Sequence, residues 1–266
     1  MKFSHWLVGA TLCVSSVSSW AGQGCTASTI EPLELQNALE LGFKTQQYLT
    51  EHKAEVALIA RVGQDLSKYG LRYSHLGWAV RQADGHYSVQ HLLNDCGSSH
   101  SDLYVEGLGN FFLDDVLAFE VLVVVPPLPV QQALSKTLQP EHARRLHTRD
   151  YSLLAYPFSR DYQNSNQWGL EILAAALMGN EQAGRKQVQT WLKQQGYQGD
   201  KVEVDPLKRM GASLFKANVA FTDHPLKERL SGNYQFVSVE STARFLQQQA
   251  PDSSQTVLSL TSPSKD

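Results

Sequence analysis

Hydrophobic and polar positions along the chain follow two different periods, and together these predict a mixture of helices and strands. Apolar residues recur at helical spacing in residues 32–52, 129–139, 140–148, 165–177 and 183–197. Alternating or continuously apolar runs of strand length occupy residues 54–61, 73–81, 87–94 and 118–126, and weaker signals give a strand at 233–240 and a helix at 241–248. An Asp84–Gly85 pair between two of the strands predicts a β-hairpin. Because helices precede and follow a mostly antiparallel set of strands, the predicted fold class is α+β.

The N-terminus has the pattern of an export signal. Lys2 precedes an apolar stretch at residues 6–17, and small residues at Ser19 and Ala21 have the spacing of a cleavage site after Ala21. A buried first helix is the alternative interpretation. We therefore expect a signal peptide at 1–21, a single domain at 22–250 and a disordered Ser- and Pro-rich tail at 251–266. No other stretch is long and apolar enough to predict a membrane span.

Net charge and cysteine content bear on the expected partners and on the expected compartment. The formal net charge is -3 and no strongly basic patch occurs, so nucleic acid is not expected as a partner. Cleavage after Ala21 would remove Cys13 and leave Cys25 and Cys96. In an oxidising compartment these two predict a disulfide, and a lipid anchor on Cys25 is the competing interpretation.

Two histidines have the spacing of partners on neighbouring strands. His75 and His91 fall on one face of the predicted hairpin, because side chains alternate along a strand with period two. A neutral imidazole can accept a proton from a nucleophile when a second polar group fixes its tautomer, and a histidine pair can supply both parts. Two hydrogen-bonded histidines in a half-buried sheet are the alternative.

Ser165 stands at the predicted start of an apolar helix. A helix N-terminus offers free N–H groups that suit an oxyanion, but serine and asparagine are also preferred as capping residues there. Capping alone does not explain the density of amides around Ser165, at Gln163, Asn164, Asn166 and Gln167. Such amides can donate to an oxyanion or recognise a peptide or glycan.

Other polar clusters carry less information. Asp223, His224 and Arg229 are expected to form a turn with a salt bridge before Pro225. The pair at 114–115 is interpreted as a solvated helix start. Arg61 and Asp65 are interpreted as an ion pair that supports the hairpin, and contact of Asp65 with substrate is the alternative. No HExxH motif or paired-cysteine spacing occurs, so neither a metal nor a cofactor is expected.

Short motifs resemble circularly permuted, papain-like hydrolases of the NlpC type. In that group one strand carries "SHxG", the next carries a second polar residue, and a later helix opens on the cysteine nucleophile, often as "NC". Lecithin retinol acyltransferase-like proteins share the order His, His, Cys. Here "YSHLG" at 73–77, "VQHLL" at 89–93 and "NS" at 164–165 match, and "FVSVESTARFL" resembles the closing strand and helix without their proline. Across about 56–246, "RVGQDL", "YSHLG", "NSNQW" and "FTDHP" also resemble a secreted bacterial family known only as a domain of unknown function (2145).

The resemblance implies a role for each matching residue. His75 would be the base, His91 its orienting partner and Ser165 the residue at the nucleophile position. Residues expected to bind substrate are Tyr73, Asn164, Asn166 and Gln167. Serine at this position is a departure, because its hydroxyl must lose a proton to a well-placed base during attack, whereas a thiol ionises more readily.

The expected function is therefore that of a periplasmic amide or ester hydrolase. Cell-wall peptide is the first expected substrate and lipid acyl groups the second. A non-catalytic envelope binding protein that retains the cleft is the rival interpretation, and a purely structural envelope factor is the third.

Overall fold

An antiparallel sheet with helices on both faces forms the centre of the molecule. The computed structural model describes residues 30–114, 116–205 and 218–260. Six strands lie in the order β4-β3-β2-β1-β5-β8, and a separate two-stranded sheet pairs β6 with β7. The strands are β1 Val56–Val62, β2 His75–Arg81, β3 Tyr87–Asn94, β4 Ser101–Gly107, β5 Ala118–Val125, β6 Asp200–Glu203, β7 Asn233–Phe236 and β8 Ser254–Ser259.

The helices cover the two faces of the six-stranded sheet and the small sheet beside it. In chain order they are α1 Pro32–Glu51, α2 Leu108–Phe111, α3 Leu128–Thr137, α4 Pro140–Arg145, α5 Ser165–Met178, α6 Arg185–Gln194, α7 Leu226–Ser231 and α8 Val239–Gln249. A 3-10 turn, Ser67–Tyr69, lies between β1 and β2. No helix within the described ranges is long and apolar enough to cross a membrane.

Side-chain alternation divides the central strands between two cores. On one face, Leu58, Leu76 and Trp78 belong to the core that includes the apolar residues of α5. On the other, Ile59 and Val89 pack with the residues of α1 and α2. The central strand β1 is buried along its whole length, as expected for a strand covered on both faces.

The α5 helix lies close against β2 because of a glycine. A Cβ atom at Gly169 would lie 2.2 Å from Leu76 Cδ1, so a larger residue would push the helix away or displace the leucine. The Trp78 indole N–H donates to the Gly169 carbonyl at 3.2 Å, which satisfies a polar group that the packing buries. The helix ends at Gly179, whose φ of 63° is the left-handed conformation of a glycine C-cap.

The predicted α+β class and the antiparallel hairpin are confirmed, and the tail requires a correction. The sequence predicts a disordered tail at 251–266, but Ser254–Ser259 forms β8 and pairs with β5 from Glu120↔Ser259 to Val125↔Ser254. Residues 261–266 lie outside the described residues. Serine-rich composition suggested disorder, whereas the unpaired edge of β5 supplies backbone hydrogen-bond partners to this segment. The domain therefore extends past residue 250. The proposed signal peptide at 1–21 lies outside the described residues.

Candidate functional site

The histidine pair predicted from the hairpin is present. β2 and β3 pair antiparallel from Trp78↔Gln90 to Arg81↔Tyr87, so His75 and His91 point to the same face of the sheet. His75 Nε2 lies 2.8 Å from His91 Nδ1, within hydrogen-bond distance. His91 is completely buried and His75 is 7% exposed. The pair is therefore a single hydrogen-bonded unit.

A carboxylate that the sequence did not reveal extends this pair. Glu106 lies on β4 and pairs with Val89, which puts its side chain on the same face as His91. Glu106 Oε1 is 3.0 Å from His91 Nε2, although the two atoms are not aligned as in an ideal hydrogen bond. The order Glu106, His91, His75 thus joins a partly exposed carboxylate to a buried imidazole, and we call these three residues the relay.

The opposite end of the relay lies next to a buried cation. Arg61 pairs with His75 in the β1–β2 register, and its Nη2 is 2.5 Å from Asp114 Oδ2. Arg61 Nη1 donates to the Phe111 carbonyl, and the Phe111 ring centroid lies 5.8 Å from His75 and 5.4 Å from His91. Burial first, then the charge of Arg61 and the neighbouring His91, holds the pKa of His75 well below its usual value. His75 is therefore neutral near pH 7.

The ion pair expected between Arg61 and Asp65 is not formed, and that prediction is wrong. Asp65 Oδ1 accepts hydrogen bonds from the Ser67 backbone N–H at 3.0 Å and from its hydroxyl at 2.6 Å. Asp114, interpreted from sequence as part of a solvated helix start, provides the partner for Arg61 instead. Sequence distance hid this pairing, because Asp114 follows α2 and reaches Arg61 only across the folded sheet.

Ser165 is the first residue of α5 and not its cap. The N-cap is Asn164, whose side-chain oxygen accepts from the Gln167 N–H at 2.7 Å. The Ser165 side chain interacts with the Tyr151 phenol, whose pKa is raised by burial and lowered in part by this contact. Within the described residues, no hydrogen bond joins Ser165 to His75.

The start of α5 bonds the strand that carries His75, but the His75 ring lies on the opposite face of the sheet, against Phe111 of α2. The Asn166 side chain accepts from the Leu76 N–H at 3.0 Å and donates to the Ser74 carbonyl at 3.3 Å. Its amide therefore bonds the backbone on both sides of His75, at the point where the β2–β3 ladder has ended. The asparagine takes the place of a strand partner there, and it fixes Ser165 close to the histidine strand.

The remaining amides around Ser165 are directed into the protein. Asn164 Nδ2 donates to the Leu153 and Val237 carbonyls, each at 3.2 Å. Gln163 and Gln167 both donate to the carboxylate of Glu171, at 2.8 Å and 3.4 Å. These hydrogen bonds explain the amide density by internal structure, and substrate binding by Asn164, Asn166 and Gln167 stays a prediction.

Tyr73, the other residue expected to bind substrate, lies in a separate polar cluster. Its hydroxyl donates to Glu120 at 3.0 Å, and its backbone N–H donates to Glu240 at 2.9 Å. Burial, followed by the hydrogen bond to Glu120, raises the pKa of the Tyr73 phenol. The structure thus ties Tyr73 to β5 and α8, and a role in substrate binding stays a prediction.

In the turn before Pro225, His224 lies between two carboxylates, with its Nε2 3.7 Å from Asp223 Oδ1, and the expected salt bridge stays a prediction. His224 Nδ1 is 2.9 Å from Glu228 Oε2, and its Nε2 is 2.6 Å from the Leu154 carbonyl. Among residues 30–114, 116–205 and 218–260, no group of three or more His, Cys, Asp or Glu side chains is arranged to hold a metal ion. Cys96 lies in the turn after β3, and Cys25 falls outside the described residues, so their pairing stays a prediction.

Comparison with known proteins identifies a family but no characterised relative. No curated protein and no solved structure gives a significant match to the chain. The family DUF2145, described as an uncharacterized protein conserved in bacteria, matches residues 48–246, a span that includes the relay and the start of α5. The match covers well over half of the sequence, and the chain therefore belongs to the DUF2145 family.

Proposed function

We propose that this protein hydrolyses an amide or ester bond, with His75 as general base, His91 as its orienting partner and Ser165 as nucleophile. Cell-wall peptide is the proposed first substrate and a lipid acyl group the second, at a periplasmic location. The observation that carries the proposal is the hydrogen-bonded histidine pair on a strand whose backbone is bonded on both sides of His75 by Asn166, the neighbour of Ser165. His75 uses Nε2 to contact His91, while its Nδ1 forms no hydrogen bond with the described part of the chain.

The proposed reaction requires the Ser165 hydroxyl and His75 Nδ1 to meet around the start of β2, because the His75 ring lies on the face of α1 and α2 and α5 packs on the other face. The Ser165 hydroxyl would turn from Tyr151 toward His75 and lose its proton to Nδ1 as its oxygen attacks the substrate carbonyl. The N–H groups of Ser165 and Asn166 are the first two of α5, where no preceding helical turn supplies carbonyl acceptors, and they would stabilise the oxyanion. His75 would then return the proton to the leaving amine or alkoxide, and water would release the acyl group from Ser165.

A circularly permuted papain-like fold is part of the same proposal. Its support is the order of elements: a strand with His75, a neighbouring strand with His91, and a later helix that begins at Ser165 and packs on the antiparallel sheet. Serine in place of cysteine makes the reaction depend more strongly on the base, because the hydroxyl does not ionise near neutral pH.

A non-catalytic binding protein is the second candidate, and one observation favours it. Ser165 interacts with Tyr151 instead of His75, and the amides of Asn164 and Gln167 are occupied within the protein. In this alternative the cleft is retained for binding an envelope component without turnover.

Covalent labelling separates the two candidates. A fluorophosphonate probe is expected to label Ser165, and both Ser165→Ala and His75→Ala should abolish the labelling. His142→Ala is the matched control, since His142 is also 7% exposed but bonds the Lys136 carbonyl, away from the relay. An unlabelled wild-type protein that is folded would contradict the hydrolase proposal. An iodoacetamide-reactive thiol in Ser165→Cys would then indicate a site derived from a cysteine hydrolase.

Export and the disulfide have an independent test. Mass spectrometry of the protein recovered from the periplasm is expected to find Gly22 at the N-terminus and a bond between Cys25 and Cys96. An acylated Cys25, or two free thiols in the recovered protein, would exclude this part of the proposal.

A further inference from the structure

The relay has opposite charges at its two ends. At the His91 end, Glu106 Oε1 lies 3.0 Å from Nε2. At the His75 end, Arg61 is the residue directly opposite on the neighbouring strand, and its buried guanidinium pairs with the partly exposed carboxylate of Asp114. Since His91 is completely buried, the interaction of its ring with the carboxylate is weakly screened by solvent.

These contacts allow two tautomeric arrangements of the neutral pair, and they are not equal in energy. In the first, His75 Nε2–H donates to His91 Nδ1, and the second proton sits on His91 Nε2, facing the Glu106 carboxylate. In the second, His91 Nδ1–H donates to His75 Nε2, and an unprotonated His91 Nε2 faces the carboxylate oxygen at 3.0 Å. Two electron-rich atoms would then lie close together at a buried position without the N–H dipole that attracts the carboxylate in the first arrangement, which is unfavourable.

The favoured arrangement leaves one specific atom without a proton. With protons on both Nε2 atoms, His75 Nδ1 has a free lone pair, and it is the ring nitrogen that the described chain does not bond. The positive charge of Arg61 opposes further protonation of His75, and so it also favours an unprotonated Nδ1. The contact that decides between the two arrangements is nevertheless the one between Glu106 and His91, and Glu106 does not touch His75 itself.

We infer that Glu106 is a positioning residue that fixes the tautomers of His91 and His75, so that His75 presents an unprotonated Nδ1. Glu106 does not contact a reacting atom in this assignment and acts only through the two rings. The consequence for catalysis rests on the proposed hydrolase function, whereas the tautomers themselves do not.

Nitrogen-15 NMR of histidine-labelled protein tests the tautomers without any substrate. Long-range proton–nitrogen correlations in the wild type are expected to show protonated Nε2 and unprotonated Nδ1 for both His75 and His91. Glu106→Ala should shift the pair toward the other tautomer, and Glu106→Gln, which keeps an acceptor oxygen without the charge, should shift it less. Asp102→Ala is the control, because Asp102 is on the same face of β4 but accepts from the Leu103 N–H.

Each outcome has a defined meaning. A proton on His75 Nδ1 in the wild type would overturn the inference even if Glu106→Ala failed to fold. Unchanged tautomers in a folded Glu106→Ala would overturn it as well.

Labelling kinetics then separate this inference from the proposed function. If Ser165 reacts, Glu106→Ala should lower the maximal rate of fluorophosphonate labelling by at least about tenfold while leaving the probe concentration for half-maximal rate unchanged. A loss confined to probe binding would contradict positioning by Glu106. If wild-type Ser165 is inert while the expected tautomers are observed, the hydrolase proposal fails and the assignment of Glu106 stands.

Discussion

Removal of Arg185 tests whether a buried carboxylate organises the segment that leads into α5. Glu171 is completely buried and receives two hydrogen bonds from Arg185, through Nε at 2.8 Å and Nη2 at 3.1 Å. Amide groups of Gln163, Gln167 and Gln189 donate to the same carboxylate at 2.8, 3.4 and 2.9 Å. Five N–H groups thus converge on one side chain, and a single cation balances its charge.

The expected cost follows from this geometry. Arg185→Met leaves the carboxylate of Glu171 buried without a counter-charge, and breaking a buried pair from one side costs roughly 3–5 kcal/mol. Further bonds are lost, because Arg185 Nη1 donates to Thr148 Oγ1 at 2.8 Å and Nη2 to the Tyr162 carbonyl at 3.2 Å. For a domain of this size the corresponding fall in Tm is roughly 6–20 °C.

The double variant Glu171→Leu/Arg185→Met should lose less stability than the sum of the two single variants. Each of the three glutamines keeps another acceptor when the carboxylate is absent. These are the Leu146 carbonyl for Gln163, the Pro157 carbonyl for Gln167 and the Ser159 carbonyl for Gln189, at 2.9, 3.2 and 2.8 Å. We therefore expect a coupling of about 0.5–3 kcal/mol between the two substitutions.

Denaturant unfolding followed by circular dichroism measures all four proteins of this cycle. Arg244→Met is the control, because the Arg244–Asp200 pair has a 2.6 Å contact but the arginine side chain is 57% exposed, and such pairs contribute less than about 1 kcal/mol. The reasoning is refuted if Arg185→Met costs no more than this control, or if the two single effects simply add.

Three further predictions concern the site itself. In Gly77→Ala the new Cβ would lie 2.5 Å from Val89 Cγ1, and denaturant unfolding should show a loss of about 1–3 kcal/mol from overpacking. Because the pKa of His75 is lowered on folding, the unfolded chain binds a proton that the folded chain does not, so stability should fall as pH decreases below about 6.5. His75→Asn should make the melting temperature less sensitive to pH in that window, and an unchanged slope would contradict the pKa direction. Asn164→Ala should cost about 1 kcal/mol or more through its lost cap, whereas Ser165→Ala removes only the contact with Tyr151 and should cost less; equal losses would mean that the cap is misassigned.

Local patterns in the sequence were sufficient to predict most of the helices and strands and one pair of residues in the candidate site. The strand predicted at 87–94 coincides with β3, and the helix predicted at 32–52 ends within one residue of α1. The Asp84–Gly85 turn set the hairpin, and the period of two along each strand then put His75 and His91 on the same face. Side-chain alternation and turn chemistry act over a few residues, so the sequence itself contains this information.

Sequence periodicity predicted strands less well where a strand is only partly buried. The edge strand β4 and the outer strand β8 were both missed, because their exposed positions carry polar and apolar residues without clean alternation. Edge strands are held largely by backbone hydrogen bonds to a neighbour, and backbone groups leave little trace in residue type.

Tertiary structure alone decided what surrounds the histidine pair. Glu106 reaches His91 only because β4 pairs with β3, and Asp114 reaches Arg61 only because α2 folds over the sheet. The choice of Asn164 instead of Ser165 as the cap likewise depends on where the preceding loop meets α5. Electrostatic and hydrogen-bonding partners are selected by proximity in space, and residues far apart in the chain become neighbours only when the sheet and its helices have assembled.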